Sequence, residues 1–292
     1  MKSIKRYIPS LLVSVLLVFS MILTSVMTVV SGYAKPEKLV QLTEDKGIIS
    51  MIKSELDRHF SEKYNETGVP AEVYTAALSD EYIESILEVN INAGFSRLDG
   101  SKFDNKSGIE NPQLEESVTS FFSNYADSIG YVKDDVYEQK LQKTIESAYN
   151  IISDYCDVYK FSLLNSEGLL AKGAKVYPML DIAVIISAGI VLLCIILLLL
   201  INRREKLSVI YWAGNSLLIA GILGIAPCVY LNSEKYFDAF VLKQPQVFTS
   251  FTGLLYDMVD SVMTNLIITA IVGIVLIIAY TVISRLQKKS QA

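Results

Sequence analysis

The chain holds one histidine, three cysteines and one tryptophan, and no Asp, Glu, Lys, Arg or His falls inside its long apolar runs. Each scarcity excludes something. A single histidine rules out the two-histidine zinc motifs, so His59, beside Asp57 and Arg58, reads as a partly exposed structural residue. Cys194 and Cys228 lie in apolar runs, which leaves Cys156 alone in the polar part of the chain. One cysteine cannot close an internal disulfide, so that part must be held by its core. No nucleophile elbow, Walker A loop, metalloprotease helix or glycine-rich dinucleotide fingerprint occurs. No catalytic residue, cofactor or metal site is expected, and the chain reads as a non-enzyme. The apolar runs hold only modest polar groups, such as Asn215, Thr264, Asn265 and Thr269, while Asp181, Asp257 and Asp260 stand at their ends. A proton or ion carrier usually needs an ionisable group deep in the membrane, so this pattern argues against one.

What is present is segregated. With 51% hydrophobic and 20% charged residues, apolar blocks and polar blocks must occupy different solvents. Charge is absent from 7–34, 182–202, 207–233 and 261–284. Each run meets the roughly 20 residues a helix needs to cross about 30 Å of hydrocarbon, and a continuous helix satisfies its own backbone there. Four spans follow, at 8–33, 180–201, 207–231 and 258–284. Gly32 and Ala34 would suit a signal-peptidase site, but this apolar stretch exceeds the roughly 7–15 residues of a signal core. It is read as a span.

Three short basic clusters orient the spans. Lys2, Lys5 and Arg6 precede the first, Arg203, Arg204 and Lys206 join the second to the third, and Arg285, Lys288 and Lys289 follow the fourth. With four crossings all three fall on one side, which the positive-inside rule makes cytoplasmic. A multi-pass cell-membrane protein is expected, with 1–7, 202–206 and 285–292 cytoplasmic. The segments 34–178 and 232–257 are then extracytoplasmic. Between 33 and 178 there are 15 Lys and Arg against 25 Asp and Glu, a balance of −10. That repels nucleic acid and wall polyanions alike.

The polar domain reads as all-α, a bundle of four or five helices without alternating strand patterns. Ile49, Ile52, Leu56 and Phe60 form one stripe, and a second helix is expected over 71–78. Ser79 caps a third, with Asp80 and Glu81 in its first turn and a face of Tyr82 or Ile83, Ile86, Leu87, Asn90 or Ile91, and Phe95. Asn111 caps a fourth with Pro112 at its first position, where the missing N–H costs nothing; its stripe is Leu114, Val118, Phe121, Phe122 and Tyr125, and Gly130 stops it. The last starts near Asp134 with Val136, Leu141, Ile145, Ala148 or Tyr149, Ile152 and Tyr155 or Cys156. The loop from Asp99 to Glu110 glances at a calcium site, but its oxygens and glycines miss the EF-hand spacing and Lys102 and Lys106 oppose a cation. Asn65-Glu66-Thr67 and Asn105-Lys106-Ser107 match the glycosylation tripeptide, a pattern common by chance.

The third span carries the one patterned surface. Ser216, Ala220, Gly224 and Cys228 recur every four residues, a groove of small side chains that lets another helix approach closely. Its expected use is helix packing, within the four-span bundle or in a homo-oligomer.

This layout, with the segment Gly68-Val69-Pro70-Ala71-Glu72-Val73-Tyr74 and the helix capped at Ser79, resembles four-span membrane proteins of Gram-positive bacteria that carry a helical extracytoplasmic domain between spans one and two. The resemblance implies an architecture and no activity. The order of spans also resembles the permease subunits of the mechanotransmitting ABC class, which grip an ATPase through cytoplasmic elements. Here a loop of about five residues and two short tails leave no coupling helix. The expected function is a non-enzymatic envelope protein, set in the lipid bilayer, whose acidic domain binds a partner protein or senses a ligand. The alternative is a transport or channel component that oligomerises through the small-residue face of span 3.

Overall fold

The computed structural model describes residues 4–290, with side chains described for 6–287. Among them the chain is helical and has no strand. The helices are α1 (Ile4–Tyr33), α2 (Pro36–Asp45), α3 (Ile48–Thr67), α4 (Glu72–Thr75), α5 (Asp80–Leu98), α6 (Pro112–Ser128), α7 (Asp135–Cys156), α8 (Phe161–Ser166), α9 (Leu169–Gly173), α10 (Met179–Ile201), α11 (Lys206–Ser233) and α12 (Pro245–Ser290). A single 3₁₀ turn, Tyr236–Ala239, precedes the last. Two compact units result: one of 1–34, 178–239 and 255–292, the other of 35–177 and 240–254.

In the first unit, α1, α10, α11 and α12 are each long and apolar enough to cross a membrane, consistent with a multi-pass membrane protein. Helix α1 packs on α10 and α11. Its buried serines, Ser10, Ser14 and Ser20, keep that approach close. Polar contacts fasten the helix ends. Asn202 Nδ2 donates to Ser10 Oγ at 3.0 Å at one end. At the other, Ser31 Oγ donates to Asp181 at 2.5 Å, and the Tyr33 hydroxyl donates to the Asp257 carbonyl at 3.1 Å.

The second unit is a helical domain built around α5, which packs against α2, α3, α7, α8 and α9. Such a helix must be apolar on most of its circumference, and Ile83, Ile86, Leu87, Asn90, Ile91 and Phe95 are all buried. Its start follows from Ser79, whose side chain accepts from the Tyr82 N–H. Asn111 accepts from the N–H groups of Gln113 and Leu114, and Asp134 from that of Tyr137. Each cap satisfies donors the helix itself leaves open. Gly68 and Gly130, at φ +71° and +68°, take the left-handed conformation that ends α3 and turns the chain after α6.

Several expectations shift. The α3 stripe is Ile48, Ile52, Leu56 and Phe60, with Ile48 fully buried and Ile49 only partly so. The helix expected over 71–78 shrinks to the single turn α4. Helices α2, α8 and α9 are additional. The segment 232–257, expected as a connecting loop, holds the 3₁₀ turn and the first turns of α12. Pro245 starts that helix without losing a bond. No residue after it breaks the helix, which runs for 46 residues, and 240–254 belong with the helical domain.

Candidate partner-binding surface

The four small residues of the third span all lie on the buried side of α11. Ser216 turns its hydroxyl back to the Trp212 carbonyl at 2.9 Å. A Cβ on Gly224 would stand 2.7 Å from Leu266 Cδ1, so this part of the face is filled by α12 of the same chain. Three further glycines make the seam. A Cβ on Gly221 would lie 2.5 Å from that of Ala270, one on Gly214 3.1 Å from the Gly273 carbonyl, and one on Gly273 2.5 Å from the Leu218 backbone nitrogen. The four-residue period overlooks these glycines. The signal for them is the seven-residue interval from Gly214 to Gly221 and the three residues to Gly224, both of which return to one helix face.

The other candidates of the polar part are absorbed by the domain. In the loop 99–110, Asp104 accepts from the backbone of Lys106 and Ser107 and from the Ser107 hydroxyl, which together hold its carboxyl below the ordinary range. Asn105 donates to Asn90 and to Ser162. The Asp104 oxygens fasten the loop to itself, and the Asn105 amide nitrogen fastens it to the core. Cys156 is buried, and desolvation pushes its thiol up, away from the reactive thiolate. Burial likewise pushes the Tyr149 phenol up to about 12, and its hydroxyl donates to Glu115 at 2.9 Å.

What remains open is the hairpin of α6 and α7. Tyr125 and Val136 belong to the expected apolar stripes, yet they are 57% and 51% exposed. Ile129, Tyr131 and Val132 between them are exposed too, Val132 at 74%. The turn at Gly130 carries these side chains past the end of the core, so the amphipathic pattern continues where nothing among the described residues covers it. Tyr125, Ile129 and Tyr131 also line a cleft of about 270 Å³, whose other walls include Phe122, Tyr137 and Leu141. The Tyr137 hydroxyl is buried there without a hydrogen-bond partner among the described residues. An unmade hydrogen bond of this kind costs roughly 1–3 kcal/mol.

A second cleft, of about 330 Å³, lies between α3 and α7, with His59, Lys63, Tyr74, Lys143 and Ile151 among its walls. His59 rests against the rings of Phe60 and Tyr155, at 5.6 and 5.4 Å. Thr144 lines both clefts, so they meet along one face of α7. Aromatic walls beside exposed aliphatic rims are features suited to binding another molecule. No protein-family model, curated protein or solved structure matches the chain.

Proposed function

We propose that the chain is a non-enzymatic, multi-pass protein of the cell envelope whose acidic helical domain lies outside the cell and binds a partner protein through the α6–α7 hairpin. The observation that carries this reading is the run of exposed Tyr125, Ile129, Tyr131, Val132 and Val136, of which Tyr125, Ile129 and Tyr131 line an apolar cleft. Contiguous apolar surface of this kind is uncommon on a protein that has no partner. Tyrosines also bring large contact area at small entropic cost. The alternative, a transport or channel component oligomerising through span 3, has less support, because Leu266 of the same chain fills the notch at Gly224.

A photoreactive phenylalanine analogue at Tyr125 tests the surface in native membranes, with the exposed Asn150 of α7 as the control position. A discrete protein adduct is expected from position 125 and none from 150. Matching patterns at the two positions would sink the reading.

The orientation rests on the three basic clusters and is tested with a maleimide that cannot cross membranes. All three native cysteines are buried, so the background is low. Ser101→Cys, in the exposed loop, should label on intact cells, and Arg204→Cys only after permeabilisation. The opposite order reverses the topology.

A further inference from the structure

The two clefts on α7 carry a sign that the rest of the domain does not. The domain is acidic overall, with 25 carboxylates against 15 cations between 33 and 178. Yet the charged or titratable cations lining the clefts are Lys140 in the first and His59, Lys63 and Lys143 in the second, and no carboxylate lines either. Lys63 is tied to Glu66 at 2.8 Å. Lys140 and Lys143 form no ion pair among the described residues, although Lys53, Arg58, Lys133 and Lys160 all do. Two unpaired lysines three residues apart on one helix border apolar clefts that no carboxylate among the described residues lines, with Glu138 and Glu146 of the same helix outside both linings.

Geometry restricts what can lie there. The α7 residues of the first cleft run from Tyr137 to Thr144 and those of the second from Lys143 to Ile151. Their midpoints are about seven residues apart, roughly 10 Å along the helix axis, and the whole strip is about 21 Å long. That separation equals i to i+7 on a facing helix, the spacing of two anchors in helix-in-groove recognition. An acyl chain fits less well. Ligand pockets for small molecules enclose about 70–90% of the ligand surface, whereas this strip is two bowls joined at Thr144 and open along one side.

Resting on the partner-binding reading above, we infer that the occupant is an acidic amphipathic helix of about four turns on the partner protein. Its apolar residues at i and i+7 fill the two clefts, and its carboxylates face Lys140 and Lys143. Attraction across the rim sets orientation and partner choice, and the apolar anchors hold the complex.

The probe is a displayed library of 16-residue peptides with leucine or phenylalanine fixed at i, i+3, i+4 and i+7. All other positions are drawn evenly from Glu, Lys, Gln and Ser. Selection uses the full chain in zwitterionic nanodiscs. Glu should be enriched over Lys at least about tenfold on the native chain, and Lys140→Glu/Lys143→Glu should reverse the preference. Both lysines are exposed, so the fold should tolerate the change, and Lys140→Gln/Lys143→Gln, which should merely abolish the preference, covers the case where the reversal does not fold. Equal use of Glu and Lys, a preference for Lys, or no response to either variant overturns the inference. So does binding of phosphatidylglycerol vesicles through the same lysines with no peptide selected, which would make an anionic lipid surface the occupant. If the library fails while the adduct at position 125 persists, the partner reading stands and only its acidic helix falls. Loss of both removes both.

Discussion

Gly273→Leu should be among the most damaging single substitutions in the membrane unit, lowering its stability by about 3 kcal/mol or more. Overpacking a tight site usually costs about 1–3 kcal/mol because neighbouring side chains rotate away. Here the obstacles are the backbone nitrogen of Leu218, 2.5 Å from an added Cβ, and the Gly214 carbonyl at 2.8 Å, neither of which has a rotamer to change. The helices must separate, and in lipid no hydrophobic force draws them back, since packing itself holds them. Gly189→Leu on α10 is the matched control, because an added Cβ there meets nothing within 4 Å. It should stay within about 0.5 kcal/mol of the parent, as surface changes do. Denaturation in mixed detergent micelles, followed by intrinsic fluorescence, measures both. Indistinguishable midpoints would refute the seam.

Asp157→Ala should cost the helical domain about 3 kcal/mol. The carboxylate is 1% exposed and accepts from the backbone N–H of Phe161 and of Ser162, each at 2.8 Å. Hydrogen bonds to a charged group contribute about 1.5–3 kcal/mol, and each stranded N–H adds its own desolvation cost. The pair holds a sharp corner between α7 and α8, where Lys160 takes the left-handed conformation at φ 52°. The corner in turn delivers Phe161 onto Gly94 of α5, with so little room that a Cβ there would lie 2.4 Å from the ring. Asp157→Asn keeps a neutral acceptor and should lose about half as much. Hydrogen exchange is the direct readout: amides 161 and 162 should exchange faster in the alanine variant, with a lower urea midpoint for the whole domain. Unchanged exchange would mean that the corner is held elsewhere.

Much of the architecture is legible in the chain because it is written in local chemistry. Charge-free runs longer than a bilayer core mark α1, α10 and α11, and the caps at Ser79, Asn111 and Asp134 mark the starts of α5, α6 and α7. Those signals need no neighbour to be read. The misses share one cause, which is that they depend on partners distant in sequence. Ile48 and Ile49 both suit a helical period, and only the packing of α3 against α5 turns the first fully inward. Helix α2 has a favourable Pro36 start, but its short length gives Leu39 and Leu42 no repeated pattern. The start of α12 is hidden because polarity ends an apolar run without ending a helix. The candidate surface was half legible: Tyr125 and Val136 stand in the right periodic positions, and the pattern cannot say that the core stops short of them. The small-residue face of α11 is marked by its period of four. Its contact with α12 rests on glycines at other intervals, which become meaningful only once Leu266, Ala270 and Gly273 stand opposite.

The seam between α11 and α12 also constrains how the membrane unit can change shape. Packed helices ordinarily accommodate small shear displacements through side-chain torsions, the usual route of gradual conformational change. Around Gly214, Gly221 and Gly273 there is little side chain to absorb such a slide, and Leu266 keys into the notch at Gly224. An axial shift of one turn would first require the two backbones to part. An axial slide of α11 along α12 is therefore blocked, and the two helices move as one body.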